Sequence, residues 1–156
     1  MPRLHLVIGD SNTRKSSLVR CLSGVFGGRS ANQHMQIQQA TGTVITVYCA
    51  TSALQENLRP LSPSDFITLV NSMVPVPTDI LITLRVNSRS TYPNAAQYVA
   101  AFLNAGWVVA SVALLGASAQ ALARVAPAAR IAAIPNSTTQ PTNLTASIVR
   151  PVWGWL

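Results

Sequence analysis

The chain of 156 residues carries a formal net charge of +7, yet only 10% of its residues are charged, where roughly 25% is usual. This length predicts one domain with a buried core, and two distant cysteines in apolar contexts, Cys21 and Cys49, exclude a disulfide framework and a zinc site. The excess of basic residues is typical of proteins that contact phosphates, but the arginines form no run, which argues against a dedicated nucleic-acid-binding arm.

The first half of the chain alternates between strand and helix patterns. Residues 4–8 predict a short apolar strand, and residues 15–22 predict an amphipathic helix. Residues 24–39, rich in Gly, Ser and Gln, are predicted to form a loop. β-branched and aromatic residues predict a strand over 43–49, and the helix predicted over 62–74 has a proline and an acidic residue in its first turn.

The second half of the chain continues the alternation. A near-continuous apolar run over residues 79–86 is typical of a strand in a sheet that is covered on both faces. A helix is predicted over 93–104 and a strand over 107–115. An alanine-rich helix over 117–125 and a short strand over 130–134 complete the pattern.

Five strands with four intervening helices predict a single α/β domain of three layers, with a mostly parallel five-stranded sheet between two layers of helices. Residues 1–135 are predicted to form this domain, and residues 136–156 a C-terminal extension that ends on Trp153 and Trp155. Because exposed aromatic residues are uncommon in monomers, we expect the extension to dock either on its own domain or on a partner that both tryptophans contact.

The uncharged stretch over residues 105–123 is long enough to span a bilayer. Gly106 and Gly116 enclose a segment with the length of a buried strand, however, and a separate helical pattern follows it, so we expect no membrane span. The N-terminus leads straight into a strand and lacks a secretory leader, which predicts a cytoplasmic location.

The chain contains a single lysine, Lys15, at the start of the first predicted helix, while its other ten basic residues are arginines. The turn between the first strand and the first helix of an α/β sheet is a common phosphate site, because backbone amides and the helix dipole point at the ligand. We therefore expect a phosphate ligand at this turn, bound by Gly9, Asp10, Ser11, Asn12, Thr13, Arg14, Lys15, Ser16 and Ser17.

The turn reads Gly-Asp-Ser-Asn-Thr-Arg-Lys-Ser-Ser-Leu and resembles the Walker A loop of the P-loop NTPase superfamily, most closely the version in small GTPases. The resemblance implies a P-loop-like fold that binds ATP or GTP with Mg²⁺. It places Lys15 on the outer phosphates and the Ser16 hydroxyl on the metal ion. If the chain is an enzyme, the resemblance implies an NTPase or a nucleotide kinase.

Two departures from the Walker A pattern weaken the prediction of hydrolysis. Arg14 stands where the pattern has glycine, so its side chain must turn outward or obstruct the phosphate, unless its charge contributes to binding. The aspartate that holds Mg²⁺ at the end of a neighbouring strand is also missing: Asp79 begins its strand, and Glu56 is the only acid on the expected side. We therefore predict a phosphate-binding protein with weak, partner-dependent or no hydrolysis.

Other features leave alternatives open. Arg85 and Arg89 follow a predicted strand and either bind a second phosphate between them or belong to a solvated polar loop. The low charge and the apolar tail favour a second function class, a non-enzymatic assembly protein that forms a homo-oligomer or larger particle and uses this fold as a scaffold. A component of a phage or mobile-element particle, and hence a virion location, would suit it. A nucleic-acid accessory factor is a third alternative, supported only by the net charge.

Overall fold

The computed structural model describes residues 2–24, 32–56, 59–127 and 129–156, and its elements alternate as an α/β protein. In chain order they are β1 Arg3–Gly9, α1 Lys15–Ser23, β2 Asn32–Gln38, β3 Val44–Ala53, α2 Pro63–Asn71, β4 Asp79–Arg85, α3 Ala95–Asn104, β5 Val108–Leu115, a 3₁₀ helix Ala117–Leu122, β6 Arg130–Ile134 and α4 Thr142–Trp153.

The strands form one six-stranded sheet in the order β2-β3-β4-β1-β5-β6. All neighbouring pairs are parallel except β2 and β3, which are antiparallel. The prediction of five strands is therefore wrong, because β2 lies within residues 24–39, which were expected to form a loop. Its sequence Asn-Gln-His-Met-Gln-Ile-Gln is polar because β2 is the edge strand, and among the side chains that the structure describes, those of residues 33–38, only Ile37 is buried.

Local signals explain where two of the helices begin. The Ser62 hydroxyl accepts a hydrogen bond from the Asp65 amide at 3.1 Å and caps α2, whose first residue is a proline. Asn94 and Gln97 form a reciprocal capping box at the start of α3, with distances of 2.9 and 3.0 Å. Both helices start within two residues of their predicted positions.

The side chains of the central strand β1 belong to two separate core clusters. Leu4, Leu6 and Ile8 lie in one cluster, together with buried residues of α2 and α3. Val7 lies in the other, together with buried residues of α1 and α4. Because successive strand residues point to opposite faces of a sheet, β1 is buried on both faces. The same holds for its neighbour β4, as the apolar run in that strand indicates.

The C-terminal segment forms α4, where the sequence predicted an extension without helix. The helix packs against α1 and β6. Trp153 and Trp155 are 2% and 3% exposed, and the Trp153 indole donates to the Val112 carbonyl at 3.1 Å. Both tryptophans thus lie in the core of the chain itself, and their rings are too buried to contact a partner.

The uncharged stretch over residues 105–123 contains β5 and the 3₁₀ helix, where the sequence predicted an α-helix after the strand. Among the described residues, no helix is long and apolar enough to cross a membrane. Cys21 and Cys49 are both free thiols. Burial raises the pKa of the Cys49 thiol to about 12, although a hydrogen bond with Ser23 lowers it, so Cys49 is an uncharged core residue at neutral pH.

Candidate phosphate site at the end of the central strand

The loop after β1 lies where the helices that follow neighbouring strands diverge. It leads into α1, which packs in the cluster with Val7. The loops after the adjacent strands β4 and β5 lead into α3 and the 3₁₀ helix, which contribute to the other cluster. In open α/β sheets, ligands bind in the crevice that such a divergence leaves at the carboxyl ends of the strands.

Close packing fixes the backbone of this loop. A Cβ atom on Gly9 would lie 2.4 Å from the Thr13 hydroxyl and 2.9 Å from the Leu115 carbonyl, so only glycine fits there. The Thr13 hydroxyl donates to the Asp10 carbonyl at 2.7 Å, and the Ser137 hydroxyl donates to the Thr13 carbonyl at 3.2 Å. The packing and hydrogen bonds of Thr13 therefore fix the backbone conformation of the loop.

Two residues of the loop have left-handed backbone conformations. Asn12 has φ 62°, which asparagine tolerates well. Arg14, in the position of the Walker A glycine, has φ 67° and ψ 32°. The loop thus adopts, at this position, a conformation that favours glycine although the residue there is arginine.

The Arg14 side chain lies outside the crevice. Its Nη1 atom donates to the Gln140 carbonyl at 2.8 Å, in the segment that precedes α4. The sequence left the orientation of Arg14 open, and the structure resolves it: the guanidinium turns outward and leaves the inner side of the loop to backbone groups and Lys15.

Lys15 is 6% exposed and folds back across the loop, where its Nζ atom donates to the Asp10 carbonyl at 2.8 Å. Burial lowers the pKa of Lys15 below its usual value of 10.5. The Glu56 and Asp10 carboxylates partly offset this shift, and the charge of Arg85 adds to it. A desolvated ammonium group at the start of a helix gains much by binding an anion.

The first turn of α1 lacks the side-chain cap that α2 and α3 have. Arg14 is its N-cap residue, and its guanidinium group has no acceptor atom with which to cap the helix. The leading amides of a helix have no partners within it and carry the positive end of the helix dipole. The first turn of α1 is therefore open to an anionic ligand in a way that the two capped helices are not.

The predicted loop residues differ in exposure. Gly9, Thr13 and Lys15 are buried. Asp10 and Ser16 are partly exposed. The exposed residues are Ser11, Asn12, Arg14 and Ser17. The buried residues hold the loop backbone and Lys15 in place, and the exposed residues form the outer surface of the loop.

Arg85 and Arg89 lie in different surroundings. Arg85 ends β4 beside Gly9 of β1, and its Nη1 atom forms a salt bridge of 3.3 Å with Glu56. Arg89 is exposed in a turn closed by backbone hydrogen bonds with Tyr92, and it lines a pocket of about 190 Å³ with Glu56. Glu56 thus shares a pocket with Arg89 but forms its salt bridge with Arg85.

No protein-family model matches this chain, and no match was found among curated proteins or among solved structures.

Several residues at the site escaped the sequence reasoning because they come from distant loops. The Asp10 carboxylate accepts from the Ser118 hydroxyl at 3.2 Å and lies 3.4 Å from the Asn87 amide nitrogen. These residues follow β5 and β4, and Ser137 follows β6. Their one signal in the sequence is a position within a few residues of a predicted strand end, where ligand-binding loops of parallel sheets meet.

The residues present do not fit a magnesium site of the Walker A type. Such a site needs a carboxylate at the end of the neighbouring strand, and the structure has Arg85 there. Glu56 is paired with Arg85, and Asp79 lies at the opposite end of the sheet, where it contacts His5 and Arg3. Among the described residues, no group of three or more His, Cys, Asp or Glu is placed to hold a metal ion. A magnesium ion at this loop would have the Ser16 hydroxyl as a ligand but no carboxylate of the Walker A type beside it.

Proposed function

We propose that this protein binds a polyphosphate, either the phosphate chain of a nucleotide such as ATP or GTP or a free one, in the loop from Gly9 to Ser17. The observation that carries the proposal is the buried ammonium group of Lys15 beside the uncapped first turn of α1, at the switch point of the sheet.

The order of elements supports a P-loop-like reading of the fold, with helices in two layers around the sheet. A parallel central strand, a glycine at its end, Lys15-Ser16 and a helix follow one another as the motif requires. The left-handed conformation of Arg14 supports it further, because glycine in the motif provides this freedom. The proposal extends to binding and does not require efficient hydrolysis, since no acid stands at the end of β4.

Calorimetric titration tests the proposal. ATP, GTP and tripolyphosphate are titrated separately into the wild type and into Lys15→Ala, with and without Mg²⁺. We expect saturable binding that Lys15→Ala weakens roughly tenfold or more, because a buried charge-assisted contact contributes about 1.5–3 kcal/mol. Arg124→Ala is the matched control: it removes one positive charge from an exposed residue outside the loop and should change the affinity little. Absence of binding by all three ligands would refute the proposal.

A second candidate function is assembly with further copies of the chain, and one feature of α4 favours it. Leu144, Ile148 and Val152 are spaced four residues apart and are 47%, 43% and 37% exposed. Residues at this spacing share one helix face, so α4 presents an apolar row to solvent. Deletion of the tail is no test of assembly, because Trp153 and Trp155 belong to the core.

Light scattering during gel filtration tests the assembly function. We expect an oligomer that Ile148→Glu dissociates, while the control Ser147→Glu adds the same charge at the neighbouring exposed position and leaves the oligomer intact. A wild-type monomer at high concentration would contradict this second function.

A further inference from the structure

The end of β4 carries a positive charge where a magnesium-dependent site has a negative one. Arg85 is in register with Gly9, the first residue of the loop, and therefore stands directly beside the phosphate site. Its side chain points to the same face of the sheet as Thr83, the face on which α1 packs. The charge at this place favours an anion itself and repels a divalent cation.

The backbone of Arg85 is held firmly by a buried glutamine. The Arg85 amide donates to the Gln55 side-chain oxygen at 3.0 Å, and the Gln55 amide group donates back to the Arg85 carbonyl at 3.2 Å. Gln55 is 1% exposed. This pair of hydrogen bonds fixes the point from which the guanidinium projects, which preorganises the cation beside the loop.

The hydrogen-bonding capacity of the Arg85 side chain is incompletely used. Its Nε atom is buried and has no partner among the described residues, and the same holds for the Thr83 hydroxyl two residues earlier. Its salt bridge with Glu56 is formed by one pair of atoms at 3.3 Å, and both side chains are about one-fifth exposed. A buried polar group without a partner is costly, and such groups point to a ligand that completes the site.

Lys15 and Arg85 affect each other electrostatically at the phosphate site. The charge of Arg85 lowers the pKa of Lys15, whereas the Glu56 carboxylate raises it, so all three groups are electrostatically coupled. The Asp10 carboxylate raises the pKa of Lys15 as well, so the two cations face two carboxylates, and a ligand that displaces Glu56 from Arg85 meets a net positive charge. Arginine binds phosphate oxygens through two parallel hydrogen bonds, which matches a ligand that enters between Arg85 and the loop.

We propose that Arg85 replaces the metal ion of a conventional P-loop site: on binding, its guanidinium moves from Glu56 to the phosphate chain of the ligand, so that binding needs no divalent cation. Glu56 is then a competing counter-ion that the ligand displaces. This inference rests on the proposed phosphate site and specifies its ligand as a metal-free polyphosphate.

The role of Glu56 separates this inference from a magnesium-dependent site, because the two predict effects of opposite sign. If Glu56 competes for Arg85, then Glu56→Gln frees the guanidinium and strengthens binding. If Glu56 instead holds the metal shell, Glu56→Gln weakens binding in the presence of Mg²⁺. A gain of affinity cannot arise from a variant that fails to fold, so the test does not depend on full stability of a damaged protein.

The experiment titrates tripolyphosphate and ATP into the wild type, Glu56→Gln, Arg85→Gln and Arg85→Lys, in EDTA and in excess Mg²⁺. We expect wild-type affinity in EDTA to equal or exceed that in Mg²⁺, because Mg²⁺ neutralises the ligand. Arg85→Gln should weaken binding roughly tenfold or more in EDTA, and Glu56→Gln should strengthen it severalfold. Arg85→Lys should recover part of the loss, since lysine keeps the charge without the bidentate geometry.

Each outcome has a separate meaning. Wild-type binding that requires Mg²⁺ and is weakened by Glu56→Gln overturns this inference and leaves the proposed phosphate site intact. An affinity unchanged in Arg85→Gln overturns it as well. Absence of wild-type binding in both EDTA and Mg²⁺ overturns the proposed function, and this inference with it.

Discussion

Replacement of Arg14 by glycine tests whether the loop has the backbone of a phosphate-binding turn. Arg14 adopts φ 67° and ψ 32°, a conformation that residues other than glycine rarely occupy. Its side chain forms one hydrogen bond, to the Gln140 carbonyl. Arg14→Gly removes both the backbone strain and this hydrogen bond, whereas Arg14→Ala removes only the hydrogen bond. The difference between the two variants therefore isolates the backbone.

The sign of this difference follows from two opposing quantities. A left-handed conformation costs a residue with a side chain roughly 1–2 kcal/mol. Glycine avoids that cost but loses about 0.5–1 kcal/mol more in backbone entropy on folding. We therefore expect Arg14→Gly to unfold with a free energy about 0.5–1 kcal/mol higher than Arg14→Ala. This shifts the midpoint of thermal unfolding by roughly 1–4 °C in a chain of this length.

Urea denaturation followed by circular dichroism measures the two free energies. Ala100→Gly is the control, because Ala100 is exposed within α3, where glycine should lower the free energy of unfolding by about 1 kcal/mol. Glycine is thus expected to be favoured at position 14 and disfavoured at position 100. If Arg14→Ala proves as stable as Arg14→Gly or more so, the left-handed conformation of the loop is wrong, and with it the argument for a P-loop-like turn.

Two further predictions concern stability at a distance from the loop. Burial alone would raise the pKa of Asp79, but hydrogen bonds from His5 and Arg3 outweigh it and hold the pKa below its usual value of 3.8. Asp79 therefore stabilises the fold above pH 3.8 and ceases to do so as the pH falls through its folded-state pKa. Asp79→Asn should lower the free energy of unfolding by roughly 1–3 kcal/mol at pH 7 and by less in acid. Urea titrations of both proteins at pH values from 7 down to below 3.8 measure this difference. A difference that does not change with pH would contradict the pairing of Asp79 with His5 and Arg3. Trp153→Ala should cost roughly 3–5 kcal/mol because it empties a core site, while the control Leu156→Ala, at an exposed residue, should change the free energy of unfolding by about 0.5 kcal/mol or less; equal effects of the two would place the tail outside the core.

The parts of the fold that the sequence predicted are those with strong local signals. The limits of β6 agree residue for residue with the prediction, and β4 ends one residue early, because both are apolar runs that begin after a charged residue and end at a charged residue or a proline. The edge strand β2 was missed, since its polar residues acquire strand structure only by pairing with β3. The helix α4 was missed as well, because Pro151 lies inside it and no side chain caps its start.

The candidate site shows the same division between local and distant information. The helix predicted over residues 15–22 does begin at Lys15, as the local sequence indicates. The partners of the loop could not be predicted, because Ser137 and Gln140 are 124 and 126 residues away from the loop residues that they contact. The salt bridge of Glu56 with Arg85 joins the segment after β3 to the end of β4 and depends on strand order, which local patterns do not encode.

Both departures from the Walker A pattern introduce arginine, but they change different physical quantities. The Arg14 guanidinium binds the Gln140 carbonyl, so its main effect is strain in the loop backbone. The Arg85 guanidinium contacts Glu56 and its charge lowers the pKa of Lys15, so its main effect is on the charge that a ligand meets. Substitutions at position 14 should therefore change the free energy of unfolding and leave the metal requirement of binding unaltered. Substitutions at position 85 should change affinity and metal requirement, which makes each position the control for the other.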